Sequence, residues 1–219
     1  MRRATLALAL VLGVGCGGGE PPPRTPDQMR ASLSPYELDL TEVTVAAYEA
    51  CVKEGGCTTD GLNKSAGGSN DDHCNWGQSS RAEHPINCVD WNQAEAYCKW
   101  AGKRLPTEQE WEYAASSGKG WTYPWGNEEP ASSKLCWSRS DGTCKVGSFP
   151  AGDNAFGVKA LAGNVWEWTS SNYDANARVV RGGGWDNKIP DFVRASFRLR
   201  DAPSNRYSSL GFRCARSLP

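Results

Sequence analysis

A nine-residue stretch, 162–170, carries the side chains with the most chemistry in the chain. Asn164 and Glu167 supply an amide and a carboxylate, and Trp166 and Trp168 place flat apolar faces beside them. Oxygen ligands next to aromatic faces are usual ingredients of a small-ligand pocket or a metal site. The alternative interpretation is a buried turn whose tryptophans fill the core.

Length and charge limit the functions that this stretch could serve. The chain has 219 residues and a net charge of −1, which suits one substantial domain with a tail. Acidic and basic residues are interspersed, so the basic footprint that nucleic acid requires is absent from the sequence. We therefore expect no nucleic-acid partner.

The N-terminus, residues 1–16, has the pattern of a signal peptide. Two arginines precede an apolar run over 4–14, which is too short to span a bilayer. The run ends at Cys16 and resembles a bacterial lipoprotein signal, in which cleavage before the cysteine exposes it for acylation. We expect an exported protein attached to the membrane through a lipid on Cys16, and Gly17 in place of aspartate favours the outer membrane. The alternative is simple secretion to the periplasm or the cell surface.

Residues 17–34 are rich in glycine, proline and polar side chains and show no apolar period. Such a composition predicts a tether between the lipid and a folded domain. The domain is therefore expected over 35–219.

Eight further cysteines lie in this predicted domain. Their number is even, the chain has export features, and no Cys-x-x-Cys pair is present, so disulfides are favoured over zinc. Spacing alone leaves many pairings open, but it suggests bonds between cysteines that are close in sequence. These are Cys51 with Cys57, Cys74 with Cys88 and Cys136 with Cys144, which would leave Cys98 to tie a helix to Cys214.

Three helices are predicted before the central stretch. The first runs over 46–54, begins at Thr41 or Thr44 and ends at Gly55-Gly56. The other two begin with capping boxes, in which an N-cap side chain and a Glu or Gln three residues later satisfy each other's backbone N–H groups. These are Asp90 with Gln93, before a helix over 91–101, and Thr107 with Glu110, before a helix over 108–114.

Short strands are predicted where β-branched and aromatic residues lie between turn residues. The segment between the first and second helices, 57–83, is instead expected to be an irregular loop held by cysteines. The predicted strands are 36–40, 84–89, 164–169, 178–182, 193–197 and 211–215.

Six separated motifs follow one order over about residues 36–216. They are 84–91, 96–113, 123–127, 163–169, 181–185 and 210–214. Together they resemble the formylglycine-generating enzyme, or sulfatase-modifying factor, family, and six motifs in order are far more specific than any one of them. The resemblance implies an α+β fold related to C-type lectins, with little regular secondary structure and with Cys98 bonded to Cys214.

The resemblance also implies where oxidases of this family hold copper(I). They use two thiols just after the Arg-Gly-Gly motif, because this soft ion prefers thiolates. Here Asn187 stands about where the first cysteine would fall, and Asp191 or Phe192 about where the second would. A serine of the pattern is replaced by Gly184. These departures argue against copper as a cofactor.

Other metals of the family have weakened sites here. Lys134 and Ala160 stand where two calcium sites would have Asn or Asp, so each site lacks an oxygen that calcium requires. Non-haem iron is not expected, because His73 and His84 are the only histidines and are interpreted as structural or surface residues. The residues that match the remaining calcium ligands are Leu135, Asp141 and Thr143 at one site, and Gly163, Val165 and Glu167 at the other.

Two functions of different classes follow from the resemblance. The first is a lipid-anchored, non-oxidase module that binds an unknown protein, peptide or glycan in a groove lined by Trp166, Arg181, Trp185 and Asn187, since Trp and Arg are frequent binding anchors. The alternative is an oxidoreductase of the formylglycine-generating type acting on protein cysteine. A calcium-dependent lectin is a third interpretation, and it lacks the Glu-Pro-Asn or Gln-Pro-Asp sugar motif.

Overall fold

The computed structural model describes residues 33–65, 68, 69 and 71–219. The predicted signal peptide, Cys16 and nearly all of the predicted tether lie outside these residues. Within them, no helix is long and apolar enough to cross a membrane.

The three predicted helices are present as α1 (Val45–Lys53), α2 (Trp91–Trp100) and α3 (Glu108–Ala115). Thr44 caps α1 by accepting a hydrogen bond from the Ala47 N–H at 3.1 Å. Both predicted capping boxes form at α2 and α3. Local side-chain chemistry therefore sets where each helix begins.

The strands form two small sheets. β1 (Tyr36–Leu38) pairs antiparallel with β6 (Ala215–Ser217). The other four strands form a sheet in the order β4-β3-β2-β5, in which β5 is parallel to β2 and the remaining pairs are antiparallel. The strands of this four-stranded sheet are β2 Trp166–Asn172, β3 Arg178–Arg181, β4 Arg198–Asp201 and β5 Leu210–Gly211. The helices and sheets agree with the predicted α+β class.

Two of the predicted strands are wrong, and a third, 211–215, is not one continuous strand, because Gly211 ends β5 and Ala215 begins β6. In 84–89, an isolated bridge between Pro85 and Thr44 forms instead of a strand. A longer ladder is prevented because proline has no N–H to donate and Cys88 adopts a left-handed φ of 56°. In 193–197 the N–H groups of Arg194 and Phe197 donate to carbonyls three residues back, so the chain turns here. The extended segment begins only at β4.

All four predicted disulfides are present. Cys51–Cys57, Cys74–Cys88 and Cys136–Cys144 each close a short loop. Cys98–Cys214 joins α2 to the C-terminal region across 116 residues. These disulfides stabilise a domain that has long irregular segments and few packed helices and strands.

The core lies on both faces of the four-stranded sheet. One face carries the largest apolar cluster, which includes Tyr48 of α1, Trp168 and Phe212, all fully buried. On the other face, the fully buried Trp111 of α3 belongs to a second cluster with Leu161. The sheet therefore separates two apolar layers and fixes which side chains of β2 can meet.

Candidate functional site

The central stretch becomes β2 and the turn before it, and its side chains separate. Successive residues of a strand point to opposite faces, so Trp166 and Trp168 lie with the larger cluster while Glu167 lies on the face of Trp111. The predicted pocket, in which a carboxylate and two tryptophans would act together, does not form. The two faces must be considered separately.

On the α3 face, Glu167 belongs to a buried ion pair. Its Oε1 accepts from Arg213 Nη2 at 2.8 Å, and its Oε2 accepts from Arg213 Nε and Trp111 Nε1, each at 2.8 Å. The side chains of Arg213 and Glu167 are 0% and 1% exposed. Arg213 also donates to the carbonyls of Asp39 and Lys159. The guanidinium thus occupies a cage of oxygen atoms.

The residues matching the calcium ligands do not fit a calcium ion. Both oxygens of Glu167 are engaged by N–H donors, and Arg213 already supplies the positive charge. At the other position, Asp141 pairs with Arg139 and the Thr143 hydroxyl accepts from Asn75 Nδ2 at 2.9 Å. Within the described part of the chain, no cluster of three or more His, Cys, Asp or Glu side chains could hold a metal.

The residues matching the copper ligands have structural contacts instead. Asn187 Oδ1 accepts from the Gly184 N–H at 2.8 Å and closes the turn after β3. The Phe192 ring packs against Trp166, with centroids 6.4 Å apart. The eight cysteines of residues 33–219 are all disulfide-bonded, so this region offers copper(I) no thiolate.

The four residues predicted to line a ligand groove are not all in one place. Arg181 is buried and donates to Glu112 Oε2 at 2.8 Å, on the α3 face. Trp185 donates from Nε1 to a backbone carbonyl at 3.0 Å and packs beside His73, with ring centroids 5.0 Å apart. Trp166 lines a cleft beside β4. The ligand-binding role of the four remains a prediction.

That cleft lies on the face opposite α3 and measures about 170 Å³. The partly buried rings of Phe192 and Phe197 pack against the Trp166 ring, with centroids 6.4 and 6.1 Å from it. Leu199 in edge strand β4 is 40% exposed. The lining residues are Trp166, Val180, Leu199, Arg200, Asp201, Tyr207, Ser209 and Leu210.

A second, wider depression of about 410 Å³ adjoins the cleft along β4. It lies between the β2–β3 turn and the end of β4, and it shares Arg200 and Asp201 with the cleft. Tyr173, 43% exposed, lies under the guanidinium groups of Arg198 and Arg200 at 4.8 and 5.5 Å. An apolar cleft therefore meets a polar, aromatic rim.

Sequence reasoning missed the contribution of β4 and the segment after it. The prediction placed a strand at 193–197, five residues too early, so Leu199 received no role. The sequence did contain a signal for β4: an apolar residue, Leu199, lies between Arg198 and Arg200, and this alternation is typical of a strand with one apolar face. Tyr207 gave no local signal, because it reaches the cleft from an irregular segment.

The two histidines have the structural contacts that were expected. His84 Nδ1 lies 2.9 Å from the Thr143 hydroxyl and 3.2 Å from Arg81. Burial lowers the pKa of His84, and the nearby Arg81 lowers it further. His73 lies beside Asp71, with Nδ1 3.3 Å from its carboxylate.

Comparisons with known proteins bear on this geometry. A profile described as the sulfatase-modifying factor enzyme 1-like domain matches residues 14–218. The chain is 41% identical over 158 residues to the inactive C-alpha-formylglycine-generating enzyme 2 of Bos taurus, covering 64% of the chain and 52% of that protein. It is 32% identical over 269 aligned positions to the formylglycine-generating enzyme of Streptomyces coelicolor, covering 93% and 85%.

A solved structure is also similar. The structure of PvdO from Pseudomonas aeruginosa superimposes with a TM-score of 0.69 and 27% sequence identity, covering 84% of the chain and 81% of that protein. Against the inactive mammalian relatives, the chain spans about half of their length.

Proposed function

The chain belongs to the family of sulfatase-modifying factor enzyme 1-like domains, and from this premise we propose that it binds a segment of another protein without oxidising it. The structural roles of Asn187 and Phe192 and the pairing of the cysteines support this proposal. So does the 41% identity to a relative named inactive.

The observation that carries the proposal is the aromatic cleft beside β4. Its volume of about 170 Å³ is below the roughly 300–1,000 Å³ of pockets that enclose small molecules. A cleft of this size instead suits a single apolar side chain of a larger ligand. Leu199 and Tyr207 provide the apolar contact, and the rigid aromatic support of Trp166 lowers the entropic cost of binding.

The position of β4 suggests how the rest of the ligand is held. β4 pairs with β3 on one side, and no strand among residues 33–219 that the structure describes pairs with its other side. An extended segment can add to such an edge through main-chain hydrogen bonds, with alternate side chains entering the flanking depressions. Arg200 and Asp201, shared by both depressions, would contact its polar groups.

Export and lipid attachment at Cys16 form part of the same proposal. An acyl anchor followed by a Gly/Pro-rich tether over 17–34 would hold the domain near a membrane surface, in the periplasm or on the cell surface. The four disulfides are in keeping with an oxidising compartment.

A matched pair of leucine variants tests the binding site. Leu199→Arg places a charge in the cleft, whereas Leu40→Arg changes an exposed leucine, 58% accessible, outside it. Peptides enriched from a displayed random library would be measured by fluorescence polarisation. We expect Leu199→Arg to weaken binding at least about 30-fold, as loss of a central anchor does, and Leu40→Arg to leave it unchanged.

Equal binding by both variants, or enrichment of no peptide by the wild type, would contradict the proposal. A glycan array on the same three proteins separates the ligand classes. If the wild type binds a glycan and Leu199→Arg does not, the cleft is the binding site but its ligand is a glycan, and the proposal of a protein ligand is wrong.

A further inference from the structure

Glu42 is a buried carboxylate with no role in the proposed binding site. It is 1% exposed and lies between β1 and α1. Its Oε1 accepts from Asn164 Nδ2 at 2.9 Å. Its Oε2 is inaccessible and has no hydrogen-bond partner among the described residues. A buried carboxylate oxygen without a partner is costly and requires an explanation.

The charged groups that act on Glu42 give that explanation. They are Arg213 and Glu167, which form the ion pair on the α3 face of the sheet. Two ionised carboxylates against one guanidinium would leave a net negative charge among groups that are at most 1% exposed. Burial of an uncompensated charge is far more costly than burial of a neutral carboxylic acid.

We propose that Glu42 carries a proton on Oε2 in the folded protein, so that Glu42, Glu167 and Arg213 form a neutral buried unit. The proton is released to solvent bases as the pH rises. An uncompensated negative charge then remains inside the fold. The folded protein is therefore less stable in neutral and alkaline solution than in mildly acidic solution.

The direction of the effect follows from the titration of Glu42. The pKa of Glu42 is raised from 4.5 to about 7: burial is the largest cause and Glu167 adds to the rise, while Arg213 and hydrogen bonds from the Glu42 backbone and the Asn164 side chain oppose it. Between these two values the unfolded chain has lost the proton and the folded chain retains it. Stability therefore falls as the pH rises from 4.5 to about 7 and is constant above it.

Glu42 is also linked to the turn that precedes β2. The Oδ1 of Asn164 accepts from the Cys144 N–H at 2.9 Å, and its carbonyl accepts from the Trp185 N–H at 2.8 Å. Asn164 adopts a left-handed φ of 63°, which needs such support. Through Asn164, the Glu42 carboxyl thus joins the N-terminal segment to the turns after β3 and before β2.

Two glutamine variants test this proposal. Glu42→Gln imitates the protonated acid, because its neutral amide also presents one acceptor oxygen and one donor group. Glu49→Gln makes the same change on the surface, at a side chain 51% exposed. Urea unfolding of both variants and the wild type would be measured at pH 5 and pH 8.

We expect the unfolding constant of the wild type to rise roughly 100-fold more than that of Glu42→Gln between these pH values. Glu49→Gln should follow the wild type. Parallel curves for the wild type and Glu42→Gln would overturn the proposal.

Two further measurements cover other outcomes. If Glu42→Gln does not fold, the wild type labelled with ¹³C at glutamate carboxyls should still show one protonated carboxyl at pH 6 by NMR, and its absence would overturn the proposal. If added calcium stabilises the wild type at pH 6 but not Glu42→Gln, the cluster takes a cation where the proposal places the proton, and the proposal is overturned.

Discussion

Replacing Arg213 with methionine is expected to lower the free energy of unfolding by about 3–5 kcal/mol, the usual cost of removing one partner of a buried ion pair. Methionine fills much of the same space but leaves Glu167 with a buried charge and one remaining donor, Trp111. The three backbone carbonyls that Arg213 satisfies would also lose their partner. Urea unfolding at pH 7 measures this loss.

Arg216→Met is the matched control. Arg216 lies three residues further along and pairs with Glu37 on the surface, where the two side chains are 56% and 53% exposed. Exposed pairs contribute about 0–1 kcal/mol, so a small change is expected. Similar losses in the two variants would show that the buried pair has no special role in stability.

Removal of the Cys98–Cys214 disulfide is expected to have an effect of similar size. Cross-linking lowers the entropy of the unfolded chain according to the length of the closed loop, which here spans 116 residues. Chain-entropy arguments give about 5 kcal/mol for this loop and about 2 kcal/mol for a loop of the size closed by Cys51–Cys57. Double Cys→Ala variants of each pair, unfolded in urea without reductant, test this difference. Equal losses would contradict it.

The parts of the fold that could be predicted from sequence are those set by short-range chemistry. Thr44, the capping box of Asp90 with Gln93 and that of Thr107 with Glu110 lie within three or four residues of the groups they satisfy. Three of the four disulfides close loops of 6 to 14 residues, so spacing indicated them, and the fourth followed from the cysteines that remained.

The candidate functional site depends on contacts that the spacing of residues along the sequence does not reveal. Asn164, Glu167 and Trp166 are neighbours in sequence, yet the strand pleat places Glu167 and Trp166 on opposite faces. Glu42 meets Asn164 across 122 residues, and Glu167 meets Arg213 across 46. The residues that replace the oxidase thiols could be read from the sequence, but their structural contacts, such as Phe192 against Trp166, could not.

The most direct test of a non-oxidising binding domain is a reaction with a cysteine-containing sulfatase peptide. The purified protein would be incubated with the peptide, copper(I) and oxygen, and formylglycine would be sought by mass spectrometry beside a count of free thiols. We expect no formylglycine and no free thiol among the eight cysteines of residues 33–219, since these are paired. Formylglycine formed by the wild type and lost in Trp166→Ala would contradict the account.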